Sequence, residues 1–311
     1  MNTKQKMFLA ATIIVIICIS AASAFLLMPS ESSNLKIVAT FYPLAFLSQQ
    51  IGGDHIEVTQ LVPDNTEIHS WEPSASHIVA TQEADIIVYN GGGADHWMED
   101  DILPVISSTK TQTIVQTTQG LTLLPSSGDE HDHGSYDPHT WLSPYMAKQQ
   151  AEKIYNAIVQ ADPEHESYYT ERWLNLKSTL EQLDADYTTG LSTKQKEDIF
   201  VSHAAFGYLA SRYGFEQHGV IGLSADEQPS AAAIANIVNM MKEHQVFVVY
   251  VDPVYSTQYA QTMKSELEAQ TGQQVTILEL HLMLGPTSEK DYIEQMQTNL
   301  ANLKIGLEAT S

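Results

Sequence analysis

Residues 131–144, HDHGSYDPHTWLSP, put three histidines and two aspartates into nine positions and then close on an apolar, proline-bounded run. Imidazole nitrogens and carboxylate oxygens are transition-metal donors. Such a stretch fits an exposed acidic loop, a catalytic metal centre, or part of a site that captures an ion and surrenders it. Four of the twelve histidines fall on expected loops or strand ends at wide intervals: His69 in PDNTEIHSWEP, His139 in DPHTWLSP, His203 in FVSHAAFGY and His281 in ILELHLMLG. His203 and His281 each stand at or just past the end of a β-branched run, where open α/β sheets bind their ligands. The single cysteine, Cys18, precedes the body, so any metal there is held by nitrogen and oxygen. Neutral imidazoles suit Zn²⁺ at about 2.0–2.1 Å better than the harder Mn²⁺, Mg²⁺ or Ca²⁺. Spacing alone leaves open that each histidine is an ordinary loop or hydrogen-bonding residue. His55, His77, His96, His165, His218 and His244 are expected on surfaces or turns, as bystanders to a central site.

Four positions so far apart meet only if a regular scaffold brings them together. The runs LKIVATF (35–41), IEVTQLV (56–62), ADIIVYN (84–90) and TQTIVQT (111–117) read as strands separated by helix-length segments, which predicts a parallel sheet covered by helices. A second series repeats it with DIFVSH (198–203), FEQHGVIG (215–222), VFVVYVD (246–252) and QVTILEL (274–280). Between them, residues 143–162 and 163 to about 189 are expected to be helical. Trp173, Leu176, Leu180 and Leu183 form one apolar stripe along a helix of about 25 residues. The expected organisation is a leader and tether over 1–34, an N-terminal α/β lobe over 35–163, a connecting helix over 164–190 and a C-terminal α/β lobe over 191–311. NGGGADHW lacks the lysine of a phosphate loop and reads as a turn. Trp71, Trp97 and Trp141 are expected to wall the cleft or pack the lobes.

The formal charge of -23, from 15 basic and 38 acidic residues, works against nucleic acids and anionic membrane surfaces and attracts cations. Lys4 and Lys6 precede an uncharged stretch, residues 7–28, long enough as a helix of about 33 Å to cross a bilayer. Ala22-Ser23-Ala24 offers a cleavage pattern inside it, so signal peptide and retained anchor both stand, and either exports the body. Contact with a membrane is expected only through this leader or through a permease, and the body is expected to be monomeric.

Four motifs in order, VTQLVPDNTEIHSWEPSASHI, YDPHTWLSP, VSHAAFGYLASRYG and EQPSAAAIANIVNMMKEHQVFVVYVDPVYSTQYAQTM, resemble the solute-binding proteins of zinc and manganese ABC importers, the ZnuA-like family. The resemblance covers nearly all of residues 35–307 and includes the closing segment DYIEQMQTNLANLKIGL. It implies two lobes joined by one long backbone helix, with the metal in the cleft between them. It implies His69, His139 and His203 as ligands, histidine at the third position accompanying zinc and glutamate manganese. The fourth position departs from the family: LELHLMLG stands where an aspartate is common, and His281 is the best match, giving a four-histidine shell unless water completes it. Glu67 and Asp252 are the second choices, as ligands or as partners that orient a ligating imidazole. His131 and His133 fall in SSGDEHDHGSYD, similar to the family's His/Asp-rich loop, where they are expected to collect zinc loosely or to belong to a solvated loop.

The function implied is an extracytoplasmic binding protein that captures Zn²⁺, with Mn²⁺ as an alternative cargo, and passes it to an ABC permease. Affinity is expected to fall as imidazoles protonate near their ordinary value of about 6.5. A stiff connector predicts a small tilt of the lobes on release. The competing class is an exported zinc hydrolase with Glu130 or Asp137 as general base; against it stand the missing HExxH helix and a shell that four histidines would close. A third class, an adhesin or structural surface protein, predicts that His69→Ala and His203→Ala leave metal affinity unchanged.

Overall fold

Two runs of four short β-branched strands, each followed by a helix or a long crossover, fold into two parallel sheets. The computed structural model describes residues 34–106, 111–126, 136–222 and 229–310. The leader (residues 1–33) and Glu130, His131 and His133 lie outside them. The first sheet contains β1 (Leu35–Ala39), β2 (Ile56–Gln60), β3 (Ile86–Tyr89) and β4 (Thr113–Gln116) in the order β2-β1-β3-β4. The second contains β5 (Asp198–His203), β6 (Glu216–Ile221), β7 (Val248–Val251) and β8 (Thr276–Glu279) in the order β6-β5-β7-β8. All six pairings are parallel. Parallel strands need both faces covered, which is why β3 (IIVY) is buried throughout and why β7 (VVYV) is apolar along its length.

The covering helices are α1 (Tyr42–Gly52), α2 (Ala75–Glu83), α3 (Pro144–Ala161), α4 (Glu166–Gly190), α5 (Gly207–Tyr213), α6 (Ala231–His244), α7 (Gln258–Thr271) and α8 (Tyr292–Gly306). Helix α4 is the expected connector. Its 25 residues, about 37 Å at 1.5 Å per residue, bury Tyr169, Trp173, Leu176, Leu180, Leu183 and Tyr187 at alternating intervals of four and three. It packs against α1 and α3 at one end and against α8 at the other, where the Tyr187 hydroxyl donates to the Met296 carbonyl at 2.7 Å. Residues 35–311 form one compact unit, and among the described residues no helix is long and apolar enough to cross a membrane.

In each sheet the strand order reverses beside the first strand, between β1 and β3 and again between β5 and β7. At such reversals the loops leaving the carboxyl ends diverge and open a crevice. Several hydrogen bonds tie the two halves together around it. Trp141 Nε1 donates to the Leu282 carbonyl (3.0 Å), the Asn65 amide to the Leu284 carbonyl (2.9 Å), and the Tyr292 hydroxyl to the Trp141 carbonyl.

Candidate metal centre

Each of three imidazoles is delivered to the crevice by a different local device. His203 is the last residue of β5, held in register opposite Ile221 of β6. His139 sits in the turn before α3, and Asp137 fixes it twice, accepting its backbone N–H at 3.0 Å and facing its Nδ1 at 2.9 Å through the same Oδ1. A proton held between Nδ1 and the carboxylate leaves the Nε2 lone pair for a metal. His69 follows β2 in a loop steadied by Glu67, whose Oε1 accepts the His69 amide at 3.0 Å, and by Trp97, whose Nε1 donates to the Ile68 carbonyl at 3.1 Å.

A nitrogen from each of His69, His139 and His203 lies within 4.8 Å of the other two, and two of the rings are buried, with His139 1% and His203 4% exposed. The Nε2 atoms of His69 and His139 are 3.2 Å apart. Two tetrahedral zinc ligands at 2.0–2.1 Å from the ion would stand about 3.3 Å apart, so this pair is already at coordination spacing. Burial and the neighbouring imidazoles push His69 down to about 3, and burial drives His139 well below its ordinary value. Both rings are therefore neutral across the physiological range, the form a metal requires. The expected protonation near 6.5 is corrected for these two rings: desolvation opposes the charged form. Burial also raises Asp137, to about 7.

His281 does not join the trio. Leu280 and Leu282 line the hollow beside His203, with Phe206, Tyr250 and Asp252. His281 stands between them but does not line that hollow, and the cluster of three imidazoles does not include it. Its backbone is clamped to α8 by Asn299, which accepts the His281 N–H at 2.6 Å and donates to its carbonyl at 2.8 Å, and its Nε2 lies 3.6 Å from Glu279. Asp252 is committed elsewhere: Oδ1 accepts the Val254 amide (2.7 Å) and Oδ2 the Leu282 amide (2.5 Å), pinning the segment after β8 to the end of β7. Burial raises it to about 6. Glu67 stays at the rim, Oε1 3.9 Å from His69 Nε2, while Oε2 accepts the hydroxyl of Tyr255 from the other half.

The sequence reading missed the residues that hold the His139 turn. Asn90 donates through Nδ2 to the Pro138 carbonyl (2.9 Å), and its Oδ1 accepts from Thr140 Oγ1 (3.1 Å) and Gln150 Nε2 (2.8 Å). The glycine run after it is a turn, as expected: Gly91, Gly92 and Gly93 all have positive φ, and Asp95 closes the turn by accepting the Asn90 and Gly91 amides. An asparagine beside three glycines reads as turn chemistry, and nothing local distinguishes its clamping role. Trp97 and Trp141 are each 1% exposed, core residues rather than open platforms. Gly207 is required by close approach, because a Cβ there would overlap Asp137 Oδ2. Gly207→Ala is therefore expected to displace Asp137 and weaken zinc binding about 10–100-fold, the range for losing a partner that orients a ligand, measured by competition with a chelator. Unchanged affinity would show that Asp137 does not orient His139.

Residues 37–306 match the family model of the periplasmic zinc-uptake complex component A, ZnuA. The chain is 33% identical over 295 residues to the high-affinity zinc uptake system protein ZnuA of Bacillus subtilis, covering 89% of each. It is 32% identical over 280 residues to the zinc-binding lipoprotein AdcA of Streptococcus pneumoniae, covering 87% of this chain but only 55% of AdcA, so it spans little more than half of that relative. It superposes on the Zn(II)-bound ZnuA-like domain of AdcA with a TM-score of 0.75 at 30% identity, covering 89% of this chain and 100% of the domain. The laminin-binding protein Lmb of Streptococcus agalactiae, described as an adhesin with metal-transporting activity, gives 0.78 at 26% identity, covering 88% of this chain and all of Lmb.

Proposed function

We propose, from the premise that this chain belongs to the ZnuA family of zinc-uptake components, that it is the extracytoplasmic solute-binding component of an ABC importer and carries Zn²⁺ as cargo. The observation that carries the reading is the convergence of His69, His139 and His203, from both halves of the molecule, to within 4.8 Å. Three neutral imidazoles make a nitrogen-rich set that favours zinc over manganese. We assign these three as the ligands, with water or Glu67 in the fourth position; Glu67 Oε1 lies 3.9 Å from His69 Nε2. Asp137 and Asp252 position what surrounds the ion. The cargo passes to a membrane permease, and residues 1–34 keep the protein outside the cytoplasm, as a cleaved signal or as an anchor. The hydrolase reading draws no support from the family.

The test is isothermal titration of the metal-free protein with Zn²⁺ and with Mn²⁺, alongside growth of the native organism lacking the gene. A tight zinc event that exceeds manganese, that survives His281→Ala, and whose loss from the cell raises the zinc requirement is the expected outcome. Absence of tight zinc binding, or an unaltered zinc requirement, would overturn the assignment.

A further inference from the structure

Two of the expected bystanders, His218 and His244, are brought together at a place remote from the trio. Asp198 opens β5, His218 lies in the neighbouring β6, and His244 is the last residue of α6. His218 Nε2 is 2.7 Å from Asp198 Oδ1, and His244 Nδ1 is 2.6 Å from Asp198 Oδ2. One donor atom from each of the three lies within 4.8 Å of the others. Asp198 and His203 occupy opposite ends of β5, separated by about 17 Å at 3.3 Å per residue. This cluster therefore shares no side chain and no donor with the crevice.

The fold builds the cluster deliberately enough to hold its geometry. His218 pairs in register with Phe200, two residues after Asp198 on the same face of the sheet, and its ring stacks on that phenylalanine at 5.0 Å and 26°. His244 is placed where α6 stops, because Gln245 turns the chain into the left-handed region (φ 55°) and sends it towards β7. The side chains of Asp198 and His218 are 14% and 16% exposed and that of His244 38%, so the donors are fixed on one side and reachable on the other. Burial opposes the Asp198 charge, but the hydrogen bonds from His218 and His244 outweigh it and hold the carboxyl below its ordinary value. The carbonyl end of α6 adds a partial negative charge at His244.

We propose that Asp198, His218 and His244 form a second, peripheral site for a divalent transition metal of the zinc class, independent of the interlobe centre. Two imidazoles and one carboxylate are a zinc donor set, with water completing the shell. Binding exchanges the two N–H···O contacts for metal bonds. Each coordinating nitrogen gives up its proton as its contact to Asp198 is exchanged for the metal bond, and that proton passes to the other ring nitrogen or to solvent. Because those hydrogen bonds must be given up and His244 is half open to water, this site binds more weakly than the trio. It gives the carrier a second, outward-facing station for the same cargo.

The test is titration of the full chain with Zn²⁺ alone against a chromophoric chelator, comparing wild type with His244→Gln and with Asp198→Asn. His244 is exposed enough for its replacement to fold, and metal-free melting temperatures check both variants. The expected result is one zinc equivalent fewer per chain in each variant, taken from a weaker event, with the tight event unchanged. His139→Ala shows the converse, losing the tight event and keeping the weaker one, which separates failure of this site from failure of the interlobe reading. Equal zinc content in wild type and His244→Gln would overturn the proposal and leave His218–Asp198–His244 as a hydrogen-bonded strut.

Discussion

Replacing His139 by alanine is expected to weaken zinc binding by more than about a hundredfold, because losing a ligand should exceed the 10–100-fold cost of losing a partner that only orients one. His139 is the middle of the trio. Its Nε2 is 3.2 Å from that of His69, and its ring centroid is 5.0 Å from that of His203. Its removal leaves two imidazoles and also leaves Asp137 buried without the ring it faces. A chelator-competition assay reads the affinity, and the melting temperature of the metal-free variant checks that the fold survives. A loss of less than tenfold in a folded variant would remove His139 from the coordination shell and, with it, the proposed centre.

The second large effect concerns acid and the empty protein. His69 is held down to about 3 in the folded state, against about 6.5 in an unfolded chain. Between these values the unfolded state binds a proton that the folded state refuses, so the contribution of His69 to stability falls as the pH falls through this window. Asp137 and Asp252, raised to about 7 and about 6, act in the opposite direction, binding protons more readily when folded. The total pH profile therefore mixes opposing groups, and a single substitution isolates one of them. Metal-free His69→Gln is expected to gain stability relative to wild type as the pH is lowered from 6.5 to 4. The gain is about 3 kcal/mol, from 1.36 kcal/mol per unit. Chemical denaturation of both proteins at several pH values measures it. A constant difference across that range would mean that the His69 ring titrates normally and is not desolvated.

Much of the scaffold was legible because parallel sheets advertise themselves. IIVY in β3 and DIFVSH in β5 have no alternation to misread, and both were bounded to within two residues. The connecting helix was equally plain, since Trp173, Leu176, Leu180 and Leu183 repeat at the helical period and all four are buried. His69, His139 and His203 were found through motif context, and the geometry gathers them. His281, the expected fourth ligand, stands outside the cluster of three. Just past a strand, a histidine and its leucine neighbours differ only in which way they face, and here Leu280 and Leu282 line the hollow beside His203 while His281 does not. No composition or spacing carries that parity. The Asp198, His218 and His244 cluster was invisible for another reason: its members come from two strands and a helix end, 46 residues apart at the extremes, and only strand register brings them together.

Glu67 touches both halves of the molecule at once, one oxygen on the His69 amide and the other on the hydroxyl of Tyr255. Opening the seam would pull on this carboxylate, and through it on the backbone that aims the His69 ring, as well as on the Trp141–Leu282 and Asn65–Leu284 bonds. One side chain thus couples the spacing of the two halves to the aim of the His69 imidazole.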